Sequence, residues 1–331
     1  MKKRHVALGV AVAVLAGLYA VNNSWSAPKA EGGLVLLAHR GVHHTYSSEG
    51  LTRDSCTATK IHPPTHDFIE NTLPSMRRAF ELGADMVEID VHPTTDGEFA
   101  VFHDWTIDCR TNGKGVTREQ SMAYLKTLDV GWGYTADGGK TFPLRGKGVG
   151  LMPTFDEVLR AFPDKRFVVN VKSNDPREGK LLHAYFAARP HARPERLVFY
   201  GGWRPIERYK ALAPSARVFT KQQMKRCMKD YLLTGWTGRL PSACRDTVMF
   251  APVEQGWMLW GWPHRFRARM AEGGTEVWLG GRANLKVQSL DGVDDAATAR
   301  KIPKGWSGVV LTDRIEVVGP VLKPGAGSGA E

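Results

Sequence analysis

Three short apolar runs end in, or carry, residues suited to a phosphate and a cation. The first, LVLLA at 34–38, runs straight into His39-Arg40-Gly41. The second, MVEIDVH at 86–92, carries Glu88 and Asp90, and the third, FVVNVK at 167–172, carries Asn170 and Lys172. Side chains on a strand alternate faces, so residues two apart share one. Glu88 and Asp90 therefore point the same way, as do Asn170 and Lys172. His103-Asp104 follows a further apolar run, Phe99–Phe102. Two carboxylates and an amide oxygen suit a hard divalent cation, Ca²⁺ or Mg²⁺. Two histidines beside them suit proton transfer near neutral pH. Two carboxylates this close on a buried strand repel and require a positive partner, either a metal ion or an arginine. Arg40 and Lys172 complement a phosphate, unless Arg40 only neutralises Glu70 or Glu88.

The elements that must position these groups are legible. Eight β-like runs follow one another, at 34–38, 87–91, 167–171, 197–200, 217–219, 247–251, 276–279 and 308–311, mostly with helical patterns between them. Alternating strand and helix implies an α/β fold with a parallel sheet, and eight repeats imply a (β/α)8 TIM barrel. An open doubly wound sheet is the alternative, but no glycine-rich phosphate loop follows the first strand. LPSMRRAFELG at 73–83 has helical spacing of Leu73, Met76, Ala79 and Phe80 with Gly83 as its stop. Thr117-x-x-Gln120 and Thr154-x-x-Glu157 read as capping boxes. Long insertions follow strands 1 and 2, at 41–69 and 93–150. Both leave the strand ends where barrel active sites lie, and loops of that length are usually functional or disordered.

Composition narrows the context. The 331 residues carry a formal net charge of +11, which favours anionic partners. The basic residues are scattered, with no zinc-finger or helix-turn-helix spacing, so nucleic-acid binding is not expected. Met1-Lys2-Lys3-Arg4 followed by an uncharged apolar stretch from Val6 to Val21 reads as an export signal. Trp25 and Pro28 crowd its cleavage region, so residues 1–26 are either a signal peptide or an uncleaved membrane anchor. The protein is expected outside the cytoplasm, periplasmic or secreted, with residues 27–323 as the folded domain and 324–331 as a disordered tail. Four cysteines fit an oxidising compartment. Of the three pairings they allow, we favour Cys56–Cys109 and Cys227–Cys244, with free buried thiols as the alternative. Trp257, Trp260 and Trp262 beside Arg265, Arg267 and Arg269 suit either a lipid–water interface or the outer helix layer.

These residues carry a resemblance. The chain resembles the glycerophosphodiester phosphodiesterase family in His39-Arg40-Gly41, Glu70-Asn71-Thr72, the run from Gly83 to Val91, Asp96-Gly97, His103-Asp104, Arg110-Thr111, Gly113, Gly115, Pro153-Thr154 and Thr312-Asp313. The match is dense over 34–172 and thin afterwards. It implies a barrel that hydrolyses a small anionic phosphodiester with a divalent cation, releasing an alcohol and glycerol 3-phosphate. By position, His39 and His103 become the acid–base pair, with His39 read as base and His103 as acid. Glu88, Asp90 and Asn170 become metal ligands, Arg40 and Lys172 hold phosphate, and Glu70 and Asn71 brace the site or touch substrate. The family usually has glutamate where this chain has Asn170, which predicts weaker metal binding. The histidine-rich insertion at 43–69 is the second departure. In it His43, His44 or Asp54 either supplies the missing ligand or the segment shapes the leaving-group side. Phospholipase D-like hydrolysis of lysophospholipid or sphingolipid is a neighbouring reading, and a non-catalytic headgroup-binding barrel is another.

Overall fold

The computed structural model describes residues 2–28, 31–47, 50–51, 55–284 and 289–325. Asp54 and most of the expected tail lie outside them. The strands are β1 (Leu34–His39), β2 (Met86–Pro93), β3 (Phe99–Val101), β4 (Arg166–Val171), β5 (Leu197–Gly201), β6 (Arg217–Val218), β7 (Val248–Pro252), β8 (Glu276–Gly280), β9 (Ala283–Asn284), β10 (Ser289–Leu290) and β11 (Gly308–Thr312). The helices are α1 (Lys2–Asn22), α2 (Leu73–Glu81), α3 (Met122–Leu125), α4 (Phe155–Ala161), α5 (Pro176–Ala187), α6 (Trp203–Leu212), α7 (Lys221–Thr234), α8 (His264–Glu272), α9 (Ala296–Ala299) and α10 (Ile315–Leu322). Eight parallel strands alternating with helices make this a (β/α)8 fold, as the eight apolar runs predict.

Two compact units divide the chain. In the larger, Leu36–Thr220 with Asp294–Ala296 and Leu311–Glu331, the strand order is β6-β5-β4-β2-β1. All these pairs are parallel, with β3 antiparallel on β2. Every residue of β2 is buried, so its two carboxylates sit in the sheet interior. Register sets Asp90 beside Asn170 and Asn170 beside Tyr200, and places His39 beside Glu88. The smaller unit, Met1–Val35, Lys221–Val293 and Ala297–Val310, contains the parallel trio β7-β8-β11. Its core includes Trp278, Phe266 and Tyr231, and Cys227–Cys244 ties α7 to the following turn.

The two long insertions are folded. Ala58, Ile61 and Ile69 from the first share one apolar cluster with Ile107, Leu125, Leu128, Tyr134 and Leu144 from the second. Cys56–Cys109 crosslinks them. Both favoured cysteine pairings are therefore present. One capping expectation fails. Thr117 donates its hydroxyl to the Asp104 carbonyl and lies inside a 3-10 turn, while Ser121 caps α3. Tertiary hydrogen bonding overrides the local signal there. Thr154–Glu157 does form a reciprocal capping box on α4. Trp262 is also corrected. It is half-buried, its ring lying against Phe266 and Trp306, whereas Trp257 and Trp260 are exposed.

Gly41 makes the turn that carries the chain out of β1. Its φ is +82°, and a Cβ there would lie 2.2 Å from Ser75 Oγ and 2.9 Å from the Ser75 carbonyl carbon. The left-handed conformation and the overpacking each cost an L-residue roughly 1–3 kcal/mol. Gly41→Ala should therefore lower unfolding free energy by about 2–4 kcal/mol in a denaturant titration; a change under about 0.5 kcal/mol would show that the turn relaxes freely.

Candidate active site

The larger unit gathers the predicted residues at the strand ends. Asp90 is fully buried and has four partners. Asn71 Nδ2 donates to Oδ2 at 3.0 Å and Asn170 Nδ2 to Oδ1 at 2.9 Å. Arg40 Nε lies 3.3 Å from Oδ2 and Lys172 Nζ 3.3 Å from Oδ1. Asn71 can do this because its backbone is left-handed, with φ +59°; its Oδ1 also accepts from the Asp90 amide. Burial alone would raise the Asp90 pKa, but Lys172, His103 and Arg40 outweigh it and hold it well below the usual carboxylate range.

Glu88, two residues away on the same face, is different. Its Oε1 accepts from Tyr200 Oη at 2.7 Å, but Oε2 is buried without a hydrogen-bond partner among the described residues. The nearest cationic candidate is His39 Nε2 at 3.6 Å. Burial and then repulsion from Asp90 push the Glu88 pKa up. One carboxylate of the pair thus has two fixed cations and two amide donors, and the other has one hydroxyl donor and His39 alone.

The two histidines are each held through Nδ1 by an aspartate. His39 Nδ1 lies 2.5 Å from Asp313 Oδ1 and His103 Nδ1 2.7 Å from Asp104 Oδ1. That leaves Nε2 of each ring to face a reactant. Their side chains are 26% exposed while Arg40, Glu88 and Asp90 are buried, so the imidazoles are the accessible edge. Their electrostatics diverge. Burial and Arg40 push His39 down, yet Asp313 and Glu88 more than offset them and its pKa is raised. Burial and then Arg40 lower His103 to about 4.

Behind His103 runs a buried relay of charge. Asp104 Oδ2 accepts from Arg110 Nε at 2.9 Å, and Arg110 Nη1 lies 3.0 Å from Glu70 Oε2. Glu70 Oε1 lies 3.0 Å from Arg40 Nη1. Arg40 is therefore engaged by Glu70 and Asp90, not Glu88, and is buried rather than open to a phosphate. Lys172, 18% exposed, keeps an accessible face. His43 Nε2 lies 3.5 Å from Asp313, so His39, His43 and Asp313 each place one donor atom within 4.8 Å of the others. His44 instead stacks on His66 at 4.3 Å.

Asp313, Asp104, Arg110 and Tyr200 were not among the residues given roles from sequence. Three of them stood in the quoted motifs, Thr312-Asp313, His103-Asp104 and Arg110-Thr111. Tyr200 had one available signal, its place at the end of a predicted strand. The donor set fits a divalent cation, because a buried Glu88 oxygen without a hydrogen-bond partner stands two residues from a second carboxylate. Asn170 already donates its amide to Asp90, which leaves its carbonyl oxygen as the remaining ligand atom.

Residues 39–197 match the family model described as the Glycerophosphoryl diester phosphodiesterase family. A glycerophosphodiester phosphodiesterase of Caldanaerobacter subterraneus is 40% identical over 103 residues, 31% of this chain and 39% of that protein. The chain thus spans less than half the length of the curated relatives it matches. Among solved structures, the glycerophosphodiester phosphodiesterase of Agrobacterium tumefaciens superposes with a TM-score of 0.57 at 20% identity, covering 87% of this chain and 98% of that one. An Oleispira antarctica phosphodiesterase in complex with the product sn-glycerol-3-phosphate gives 0.54 at 19% identity, over 90% and 98%. These likenesses show a shared fold.

Glu70 offers a stability test. Burial raises its pKa, but Arg110 and Arg40 win and lower it from 4.5 to about 2. A depressed folded-state pKa stabilises the protein above the unfolded value, and that stabilisation is lost as pH falls from about 4.5 through about 2. It amounts to about 3 kcal/mol. Glu70→Gln should cost about 3–5 kcal/mol at pH 7, because it leaves two buried arginines short of a partner. It should also flatten the acid limb of the stability curve by up to one bound proton. An unchanged limb would show that other carboxylates carry the acid sensitivity.

Proposed function

We propose that this chain, whose residues 39–197 match the model of the Glycerophosphoryl diester phosphodiesterase family, belongs to that family and hydrolyses small phosphodiesters to an alcohol and glycerol 3-phosphate. One observation carries the reading: two histidines, each oriented through Nδ1 by its own aspartate, flank a buried carboxylate pair of which one member, Glu88, keeps an oxygen without a hydrogen-bond partner among the described residues. Glu88 and the Asn170 carbonyl oxygen would hold the divalent cation, Ca²⁺ or Mg²⁺, with Asp90 joining them by exchanging one of its present partners for the ion. When bound, it supplies positive charge against the phosphoryl oxygens. Lys172, with part of its surface free, would bind the phosphate directly. Arg40 would act through Asp90 and Glu70, holding the carboxylates in place.

The electrostatics favour His103 as the base and His39 as the acid, the reverse of the assignment from sequence. A neutral His103 accepts a proton from water through Nε2 as the water oxygen attacks phosphorus. The bond from phosphorus to the alcohol oxygen breaks, and protonated His39 donates from Nε2 to that oxygen. Asp313 favours the imidazolium of His39 before transfer. Asp104, itself anchored by Arg110, holds the His103 tautomer and ring. Export is supported by the two disulfides and by the apolar α1.

The deciding assay follows product release from glycerophosphocholine by the full chain, after EDTA treatment and after return of Ca²⁺ or Mg²⁺. Release of choline and glycerol 3-phosphate that returns with metal is expected, and Asn170→Glu should reach the same rate at lower metal concentration. Release only from intact lysophospholipid would favour the phospholipase D-like reading. Headgroup binding without turnover in any metal would favour a binding protein.

The two histidine roles separate by leaving group. Each alanine variant should lower kcat on glycerophosphocholine by about 10²–10⁴-fold. On a p-nitrophenyl phosphodiester, whose leaving group needs no proton, His39→Ala should recover most of that loss and His103→Ala should not. The opposite pattern would restore His39 as the base.

A further inference from the structure

The smaller unit holds α1 by its C-terminal end. Arg269, buried, donates to the Val21 carbonyl at 2.7 Å and to Asn22 Oδ1 at 3.1 Å, while also reaching the Gly235 carbonyl at 3.0 Å. Val21 carries one of the last carbonyls of α1, which no residue within the helix can satisfy. Asn22 Nδ2 donates to the Trp236 carbonyl at 2.9 Å. Just beyond, Ser24 Oγ accepts from the amides of His264 and Arg265 at 2.7 and 3.1 Å, the first turn of α8. Gly238 approaches so closely that a Cβ there would lie 2.6 Å from Val21 Cγ1. The segment where a signal peptide would be cut is thus part of the folded unit.

The N-terminal part of α1 is open to solvent. All described side chains from His5 to Gly17 are exposed, and the stretch His5–Asn22 is apolar enough to cross a membrane. The 18 residues His5–Asn22 span about 27 Å at ~1.5 Å each, close to the ~30 Å of a bilayer core. Around the exit of α1 lie Trp236, Trp260 and Leu233, 45%, 42% and 63% exposed, and Trp257, 77% exposed, stands three residues before Trp260 in the chain. They are tied to the same spot: Trp260 Nε1 donates to the Leu232 carbonyl at 3.0 Å and Tyr231 Oη to the Trp260 carbonyl at 2.7 Å. Lys225 and Lys229 border the adjoining apolar groove on α7. Indole rings and cations at the mouth of an apolar helix match the headgroup layer, where one end of a side chain is apolar and the other wet.

We infer that α1 stays attached as a membrane-spanning anchor seated by Arg269 and Ser24, and that Trp236, Trp257, Trp260 and Leu233 form a rim set into the lipid headgroup layer where α1 leaves the bilayer. This does not rest on the proposed reaction, and its readouts do not use turnover.

The full chain is expressed, the membranes are washed with alkaline carbonate, and the intact mass is measured. The whole chain, retained in the membrane fraction, is expected; a product starting near Ala27 would overturn the anchor. The full chain is then placed in phosphatidylglycerol-containing vesicles with lipids brominated near the top of the acyl chains, and tryptophan fluorescence is read. Quenching is expected, and a Trp236→Ser, Trp257→Ser, Trp260→Ser triple variant should lose most of it. Trp257→Ser alone, at an exposed position, should lower quenching by a measurable step with Tm unchanged, so misfolding of the triple cannot hide the answer. Equal quenching in parent and Trp257→Ser would overturn the rim. Absence of quenching with a dimer in detergent would overturn it in favour of a contact between two copies.

Discussion

A buried chain of alternating charge runs from Asp104 through Arg110, Glu70 and Arg40 to Asp90 and Lys172. Burying any one of these ions alone costs several kcal/mol, and a neighbour of opposite sign offsets that cost only at close range and good geometry. Every link here is at 3.3 Å or less. The consequence is positional rigidity: no member can move without stranding its neighbours. The chain ends at Lys172 and does not extend to Glu88. The asymmetry between two carboxylates on one strand face follows, and with it the buried Glu88 oxygen that has no hydrogen-bond partner among the described residues.

That chain also explains why the insertions matter. Arg110 belongs to the second insertion, and its guanidinium is held on every side: Asp104, Glu70, Tyr134 Oη at 2.6 Å and Thr57 Oγ1 at 2.6 Å. Thr57 and Arg110 are each the neighbour of a bridged cysteine, Cys56 and Cys109. The disulfide and the shared apolar cluster therefore set the position of an arginine that in turn sets Asp104 and the His103 ring. Segments that look like decoration on a barrel carry part of the site's electrostatic frame.

The smaller unit shows the same economy in a different setting. A single buried arginine, Arg269, satisfies the end of α1, the turn at Gly235 and the Tyr231 hydroxyl, at 3.1 Å for the last. It lies in the Trp/Arg-rich stretch 254–270 that stands out in the sequence, but there its role is internal. The aromatic residues of that stretch divide, with Trp262 packed and Trp257 and Trp260 outside.

Much was legible in the residue order. Strand ends, the face shared by Glu88 and Asp90 and the α4 capping box are local properties, because strand alternation and capping geometry act over a few residues. Both favoured cysteine pairings also form, across 53 and 17 residues. What Arg40 does was not legible, because an arginine beside a carboxylate-rich strand can face a substrate or a neighbour with the same sequence around it. The partners of His39 and of Glu88 were equally hidden. Asp313 is 274 residues from His39, and Tyr200 is 112 from Glu88. Thr117 went to the Asp104 carbonyl instead of a helix cap for the same reason. The sequence by itself determined which groups could do chemistry and on which strands they stand. Only the tertiary structure decided how their charges are shared, because the energy of a buried ion depends on which distant groups the fold brings within hydrogen-bonding reach.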